Sequence, residues 1–288
     1  MNTNTDFNRS LSRIFTNPIF KHIAQTGNSE YFFDKLKKYD SQLSINPGMQ
    51  VKDVIGNAYR YLSNNYRNEY VYKNTIANNI LLGRHSLKTA TMLNEFKIAS
   101  SIADIVIING TSTVYEIKTE LDSPDKLQKQ ISDYKKAFSK IYLVTHHSLV
   151  NRYLSLLAND TIGLISLNGR FSFTIIKEAQ EDFSQINNEV IIKCLRKDEY
   201  SSIIKKYYGV TPNVSNIKFF NECLTLANKI HPKILHDLML EQLKKRIPTE
   251  CNSLQSDELP RELKHICLCI NPNKSGYNNL FNFLNLNL

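Results

Sequence analysis

The sequence predicts an α/β fold, a mixed β-sheet flanked by helices with helical extensions at both ends. Three observations predict it. Three short runs rich in β-branched residues, ATMLNEFKIA, SSIADIVIIN and STVYEIKT, follow one another in mid-chain. A helical stretch, DSPDKLQKQISDYKKAF, then leads to a further strand, KIYLVTH. On either side, the chain returns to the 3.6-residue period of amphipathic helices.

The elements follow in order. In SEYFFDKLKKYD, Tyr31, Phe32 and Leu36 share a helical face, and Ser29 is placed to cap its start. Asn46-Pro47-Gly48 reads as a turn. Val51, Ile55, Ala58, Tyr59 and Leu62, then Tyr72, Ile76, Ile80 and Leu81, continue the helical spacing up to a stop at Gly83. Asn109-Gly110 is a turn signal between two of the strands. After them, Ser123 is placed as an N-cap with Pro124 at the first helical position. Leu127, Ile131, Tyr134 and Phe138 form the apolar stripe of that helix. TIGLISLNG and FSFTIIKEA read as a last strand pair joined at Asn168-Gly169. Helices resume in EVIIKCLRKDEYSSIIKKYYG and FFNECLTLANKIHPKILHDLMLEQLKKR, and GYNNLFNFLNLNL ends the chain as a frayed or docked segment. The expected division is a helical region at 1–64, an α/β core at 65–180 and a second helical region at 181–288.

Composition narrows the function classes. The chain has 288 residues and is 42% hydrophobic, enough for a core and unlike a disordered protein. It contains no apolar run of membrane-span length, so no membrane partner is expected. MNTNTDFNRSLSRIF is too polar for a secretory signal, which points to a cytoplasmic protein. Five cysteines, an odd number, suit reduced thiols. The formal charge of +9 favours an anionic partner such as nucleic acid.

The chemistry is concentrated in ADIVIINGTSTVYEIK. Asp104, Glu116 and Lys118 interrupt two apolar strands, where unpaired charge is expensive. Two neighbouring carboxylates suit a hard divalent cation, Mg²⁺ or Mn²⁺, and the backbone carbonyl of Ile117 would add a third oxygen. Glu116 and Lys118 share a strand face, so the lysine would stand beside the metal, placed to activate water or stabilise charge on a phosphate. A buried ion pair is the other reading of the same residues. The metal reading sets a geometric condition. A two-residue Asn109-Gly110 turn pairs Asp104 with Tyr115 and turns Glu116 to the opposite face. Pairing Asp104 with Glu116 needs a three-residue loop, Asn109 to Thr111, or a bulge.

Asp, a hairpin-length gap, then Glu-x-Lys on the next strand resembles the PD-(D/E)XK nuclease superfamily. Ala103 stands where the motif has proline. Gln130-Ile-Ser-Asp-Tyr134 is similar to the Q-x-x-x-Y helix of the RecB-like branch, and stand-alone, largely uncharacterised bacterial members look alike over residues 65–178. The resemblance implies a restriction-endonuclease-like core and a Mg²⁺-dependent endonuclease hydrolysing phosphodiester bonds, with DNA as the expected substrate and phage defence or DNA repair as the setting. It implies metal ligation by Asp104 and Glu116, water activation by Lys118, and site-shaping and backbone contacts by Gln130 and Tyr134. It also implies a further acid. Glu69, on the preceding helix, and Glu95, on the first strand, are the candidates. Lys73, one turn after Glu69, is placed either to touch a phosphate or to form an ordinary ion pair with that glutamate.

An inactive nucleic-acid-binding or partner-binding protein on the same fold is the alternative function. The helical flanks offer surfaces for a homodimer or a partner protein. Lys205-Lys206 and Lys244-Lys245-Arg246 read as solvated helix faces or as phosphate contacts.

Overall fold

The computed structural model describes residues 3–168 and 172–288. The chain opens with helices α1 (Thr3–Ser12), α2 (Asn17–Thr26), α3 (Glu30–Lys37), α4 (Asp40–Leu43), α5 (Val51–Asn65) and α6 (Glu69–Ile76). A π-helical segment, Ala77–Leu82, extends α6. Strands β1 (Thr91–Ile98), β2 (Ser101–Ile108) and β3 (Ser112–Lys118) follow, then α7 (Leu127–Lys135), β4 (Lys140–His146), α8 (Val150–Leu156), β5 (Gly163–Leu167) and β6 (Phe173–Lys177). The remainder is helical: α9 (Asn188–Cys194), α10 (Lys197–Tyr208), α11 (Asn216–Ala227), α12 (Pro232–Leu243), α13 (Cys251–Gln255), α14 (Lys264–Ile270) and α15 (Lys274–Leu284). No helix among the described residues is long and apolar enough to cross a membrane. The expected Asn168-Gly169 turn runs into residues 169–171, outside the described residues.

Two compact units divide the chain, at Arg84 and Ile247 instead of at 64 and 180. One contains the sheet and α7–α12. Its six strands lie in sequence order. β1, β2 and β3 are antiparallel neighbours, β3, β4 and β5 run parallel, and β6 is antiparallel to β5. The protein is therefore α/β with a mixed sheet. Leu127, Ile131, Tyr134 and Phe138 pack into one core with Val106, Val114 and Leu143 of the strands. Ile191 and Ile192 of α9, Ile203 and Ile204 of α10, and Leu235 and Met239 of α12 join it. Those shared apolar faces place α9–α12 with the sheet, whereas the helices after Ile247 bury theirs elsewhere.

The other unit is helical. Ser29 Oγ accepts from Phe32 N, capping α3 as its sequence predicts. Phe32 packs edge-on against Phe20 and Phe283, so α15 closes the core begun by α2 and α3. The C-terminus is docked: Val51 N donates to the Leu286 carbonyl, and Gln50 bridges Asn287.

One local expectation shifts. α7 starts at Leu127 and not at Pro124. The chain before it is held by its own turn bonds, with Thr119 N and Oγ1 donating to Asp122 Oδ2 and Leu127 N to the Pro124 carbonyl. His146, the last residue of the strand KIYLVTH, is buried at the end of β4, with Nδ1 3.1 Å from Glu120 Oε1.

Candidate functional site

The loop between β2 and β3 has three residues. Ile108 pairs with Ser112 and Ile105 with Tyr115, leaving Asn109, Gly110 and Thr111 as the connection. This is the odd count that puts Asp104, Glu116 and Lys118 on one face. Gly110 sits at φ +110°, a conformation that only glycine adopts readily.

Glu116 is 2% exposed. Its Oε1 accepts from Lys118 Nζ at 2.8 Å and from Gln130 Nε2 at 2.6 Å, and its Oε2 lies 2.7 Å from the Tyr134 hydroxyl. Lys118 also donates to Gln130 Oε1 at 3.0 Å. The Tyr134 hydroxyl is 2.8 Å from the Ile102 carbonyl as well, and its single proton serves one acceptor at a time. Gln130 and Tyr134, one turn apart on α7, thus reach the same carboxylate. Burial pushes the Glu116 carboxyl above its usual value, against the pull of Lys118, Tyr134 and Gln130. Burial also works against the Lys118 ammonium, but Glu116, Asp104 and Asp122 outweigh it and keep the lysine charged. Burial raises the Tyr134 phenol, and the adjacent Glu116 charge raises it further.

Asp104 lies where the β2–β3 pairing gives way to a side-chain bond. Its Oδ2 accepts from Ile117 N at 2.8 Å, just beyond the Ile105–Tyr115 pair. Glu95, on β1, falls opposite Asp104, between the pairs Asn94–Ile105 and Phe96–Ala103. Carboxylate oxygens of Glu95 and Asp104 come within 4.8 Å of each other. Glu95 also holds φ +50°, an uncommon value for a residue with a side chain and a mark of local backbone strain.

Glu69 and Lys73 belong to the helical unit. Glu69 is exposed at the start of α6 and ion-paired with Lys73, which is buried. Tyr134 is fully buried, and Gln130 spends both ends of its amide within the Glu116 network. The structure therefore brings Asp104, Glu116, Lys118, Gln130 and Tyr134 together in one polar cluster, with Glu95 beside Asp104. The expected cation pair of Asp104 and Glu116 meets a chemical obstacle, because Glu116 already faces three protein donors. Asp104 and Glu95 are the better matched oxygens in this unit.

One acid was missed by reading the sequence. Asp133, 4% exposed, accepts from Ser100 Oγ at 2.8 Å, Ser101 Oγ at 2.9 Å and Lys136 Nζ at 2.8 Å. It ties α7 to the β1–β2 turn, and the signal was an acid next to the helix stripe together with a Ser-Ser pair between two strands.

Bacteriophage P4 protein cII is the family that matches, over residues 62–265. The chain belongs to that family. Protein cII of Enterobacteria phage P4 is 28% identical over 176 residues, 59% of this chain and 64% of the relative. The match thus covers a little under two thirds of that relative's length. No solved structure matches. Membership in the cII family overturns the resemblance to PD-(D/E)XK nucleases, for no nuclease family matches. The assignment as a metal-dependent endonuclease hydrolysing DNA, in defence or repair, falls with it, as do its nuclease and hydrolase attributes. The physical reason is that the motif is short. Two acids and a lysine on one hairpin face, with a glutamine and a tyrosine one turn apart above them, also describe a closed buried network, and the cluster around Glu116 has that form.

Proposed function

We propose that the chain is a non-catalytic nucleic-acid-binding protein on a restriction-endonuclease-like core, acting in a regulatory role by occupying its target. The observation that carries this reading is the formal charge of +9, together with exposed lysines on α7 that are not spent in ion pairs. Lys126 and Lys129 are exposed at the start of α7, and neither joins an ion pair among the described residues. The C-terminal basic runs are partly committed, with Lys205 and Lys244 in no ion pair among the described residues. Lys206 pairs with Glu241, Lys245 donates to Gln242, and Arg246 pairs with Glu199. The mixed sheet with flanking helices supports the core layout. Phosphate contacts from lysines give affinity without reading sequence, so this interface is of the positioning kind. A divalent cation, Mg²⁺ or Mn²⁺, is proposed at Asp104 and Glu95, where two carboxylates and water would suffice.

Fluorescence anisotropy with labelled duplex DNA and RNA over a salt series tests the reading. Binding is expected to weaken steeply with salt, and the Lys126→Ala/Lys129→Ala variant to lower the logarithmic salt slope by about 2. Absence of salt-dependent binding to either polymer overturns the reading. So does cutting of either one in Mg²⁺ or Mn²⁺ that disappears in Lys118→Ala.

A second reading, contact with a protein partner, is favoured by the exposed apolar residues Val210 and Val214, between α10 and α11, and Ile217, in the first turn of α11 and 92% exposed. Sedimentation of the wild type and of Ile217→Glu tests for a homodimer, which only the wild type should form.

A further inference from the structure

The helical unit contains a recess of about 200 Å³ between α5, α6 with its π-helical extension, and the short turn at Arg261–Leu263. Ser63 lies in its wall. Ser63 is 1% exposed, and its hydroxyl has no hydrogen-bond partner among the described residues. A buried hydroxyl left unmatched is costly, and native proteins retain few of them. Arg261 lines the same recess and its side chain joins no ion pair among the described residues, and Arg60, which also lines it, makes only a 3.3 Å contact to Asn57 Oδ1. Asn74 Nδ2 and Asn78 Nδ2 both donate to the Arg261 carbonyl, at 3.0 and 2.9 Å, so the arginine is presented from a fixed backbone. Asn78 belongs to the π-helical segment, a distortion that often marks functional sites.

Gly56 adds an independent sign. It sits inside α5, lines the recess, and a Cβ there would meet nothing within 4 Å. Glycine within a helix costs about 1 kcal/mol relative to alanine. No packing requires it, and its absent side chain keeps the recess open toward an adjoining cleft of about 400 Å³. Asp53, Asp257, Glu258 and Glu262 line that cleft. Lys52 and Arg60 line it too, and Glu262 lines both spaces, so carboxylates outnumber cations in the cleft, whereas Arg60, Arg261 and the Ser63 hydroxyl share the recess with one carboxylate, Glu262.

We propose that the recess binds a small phosphorylated, hydroxyl-bearing molecule. Its phosphate is held by Arg261, Arg60 and the Ser63 hydroxyl, and its hydroxyls are directed to the carboxylates of the cleft. Two guanidinium groups and a neutral donor suit a compact oxyanion, and the acidic rim suits hydrogen-bond donors behind it. The site lies wholly in the helical unit and is independent of nucleic-acid binding through α7.

Calorimetric titration of the full chain with ribose 5-phosphate and, separately, inorganic phosphate tests the proposal. Both are expected to bind saturably and in competition, ribose 5-phosphate more tightly. Arg261→Ala should weaken binding roughly ten- to a hundredfold, and Gly56→Leu should abolish it. Ser63→Ala separates ligand recognition from folding. It should weaken binding by about threefold or more, yet raise the thermal midpoint of the unliganded protein by about 2 °C, because an unmatched hydroxyl is removed. Lack of saturable binding by both compounds overturns the proposal, as does binding unaffected by Arg261→Ala and Gly56→Leu. Phosphate binding with no preference for ribose 5-phosphate overturns the role given to the acidic cleft.

Discussion

Lys118 Nζ and Glu116 Oε1 stand 2.8 Å apart on successive same-face positions of β3, both side chains buried. Each charge depends on the other, since burial alone opposes both. Lys118→Met keeps the bulk and removes the cation, leaving a carboxylate buried without a positive partner. The expected cost is about 3 kcal/mol in urea unfolding. Adding Glu116→Gln should restore part of it, with a coupling energy of roughly 1 kcal/mol or more in the double-mutant cycle. A single-mutant cost below about 0.5 kcal/mol, within the ordinary range for surface changes, would show that the pair does not hold β3 to α7.

The strands were legible because β-branched runs and the Asn109-Gly110 signal are local. The condition that Asp104 and Glu116 share a face asked for a three-residue loop or a bulge, and the register contains the three-residue loop. The start of α7 was not legible, since Asp122 folds back on Thr119 and delays the helix by a turn. Nor was the division of the C-terminal helices. Ile203 and Leu254 look alike in sequence, and only long-range packing assigns the first to the sheet core. The acids and lysine on one face were readable, but their occupation by Gln130 and Tyr134 depends on side-chain directions across two elements. The spacing that suggested a nuclease therefore carried less information than it seemed to.

The three-residue loop gives a register prediction. Deleting Thr111 leaves a two-residue turn and slips β3 by one position, exchanging Val114, Glu116 and Lys118 with Thr113, Tyr115 and Ile117 across the sheet. The deletion variant should lose its cooperative thermal transition. Gly110→Ala, which keeps the count but strains φ +110°, should cost only about 1 kcal/mol. Equal effects of the two changes would argue against register as the constraint.

Glu95 carries the strained backbone, and Asp104 lies opposite it. If the two carboxylates form the cation site, Mn²⁺ should bind weakly, as expected for two carboxylates and water. Electron paramagnetic resonance should show that binding disappear in Asp104→Asn and Glu95→Gln but persist in Glu116→Gln. Loss in Glu116→Gln alone would instead move the cation to the network around Lys118.

Acid should reveal the two carboxylates that hold helices in place. Burial opposes the charge of Asp133, but Lys136, Ser100 and Ser101 overcome it and hold the carboxyl at about 2. Burial likewise opposes Glu199, and the two-pronged contact from Arg246, at 2.7 and 2.6 Å, lowers it. Both groups are depressed in the folded state, so the stability they supply is complete above their unfolded values, near pH 4. It declines as pH falls through the folded values, for Asp133 down to about 2. Urea unfolding from pH 6 to pH 2 should show that decline. Asp133→Asn should flatten the part nearest pH 2, and Glu199→Gln should remove a contribution whose lower limit is set by Arg246. The Asp133→Asn variant retains the helix and the two serines, so an unchanged profile would mean that the tie between α7 and the β1–β2 turn does not depend on the carboxylate charge.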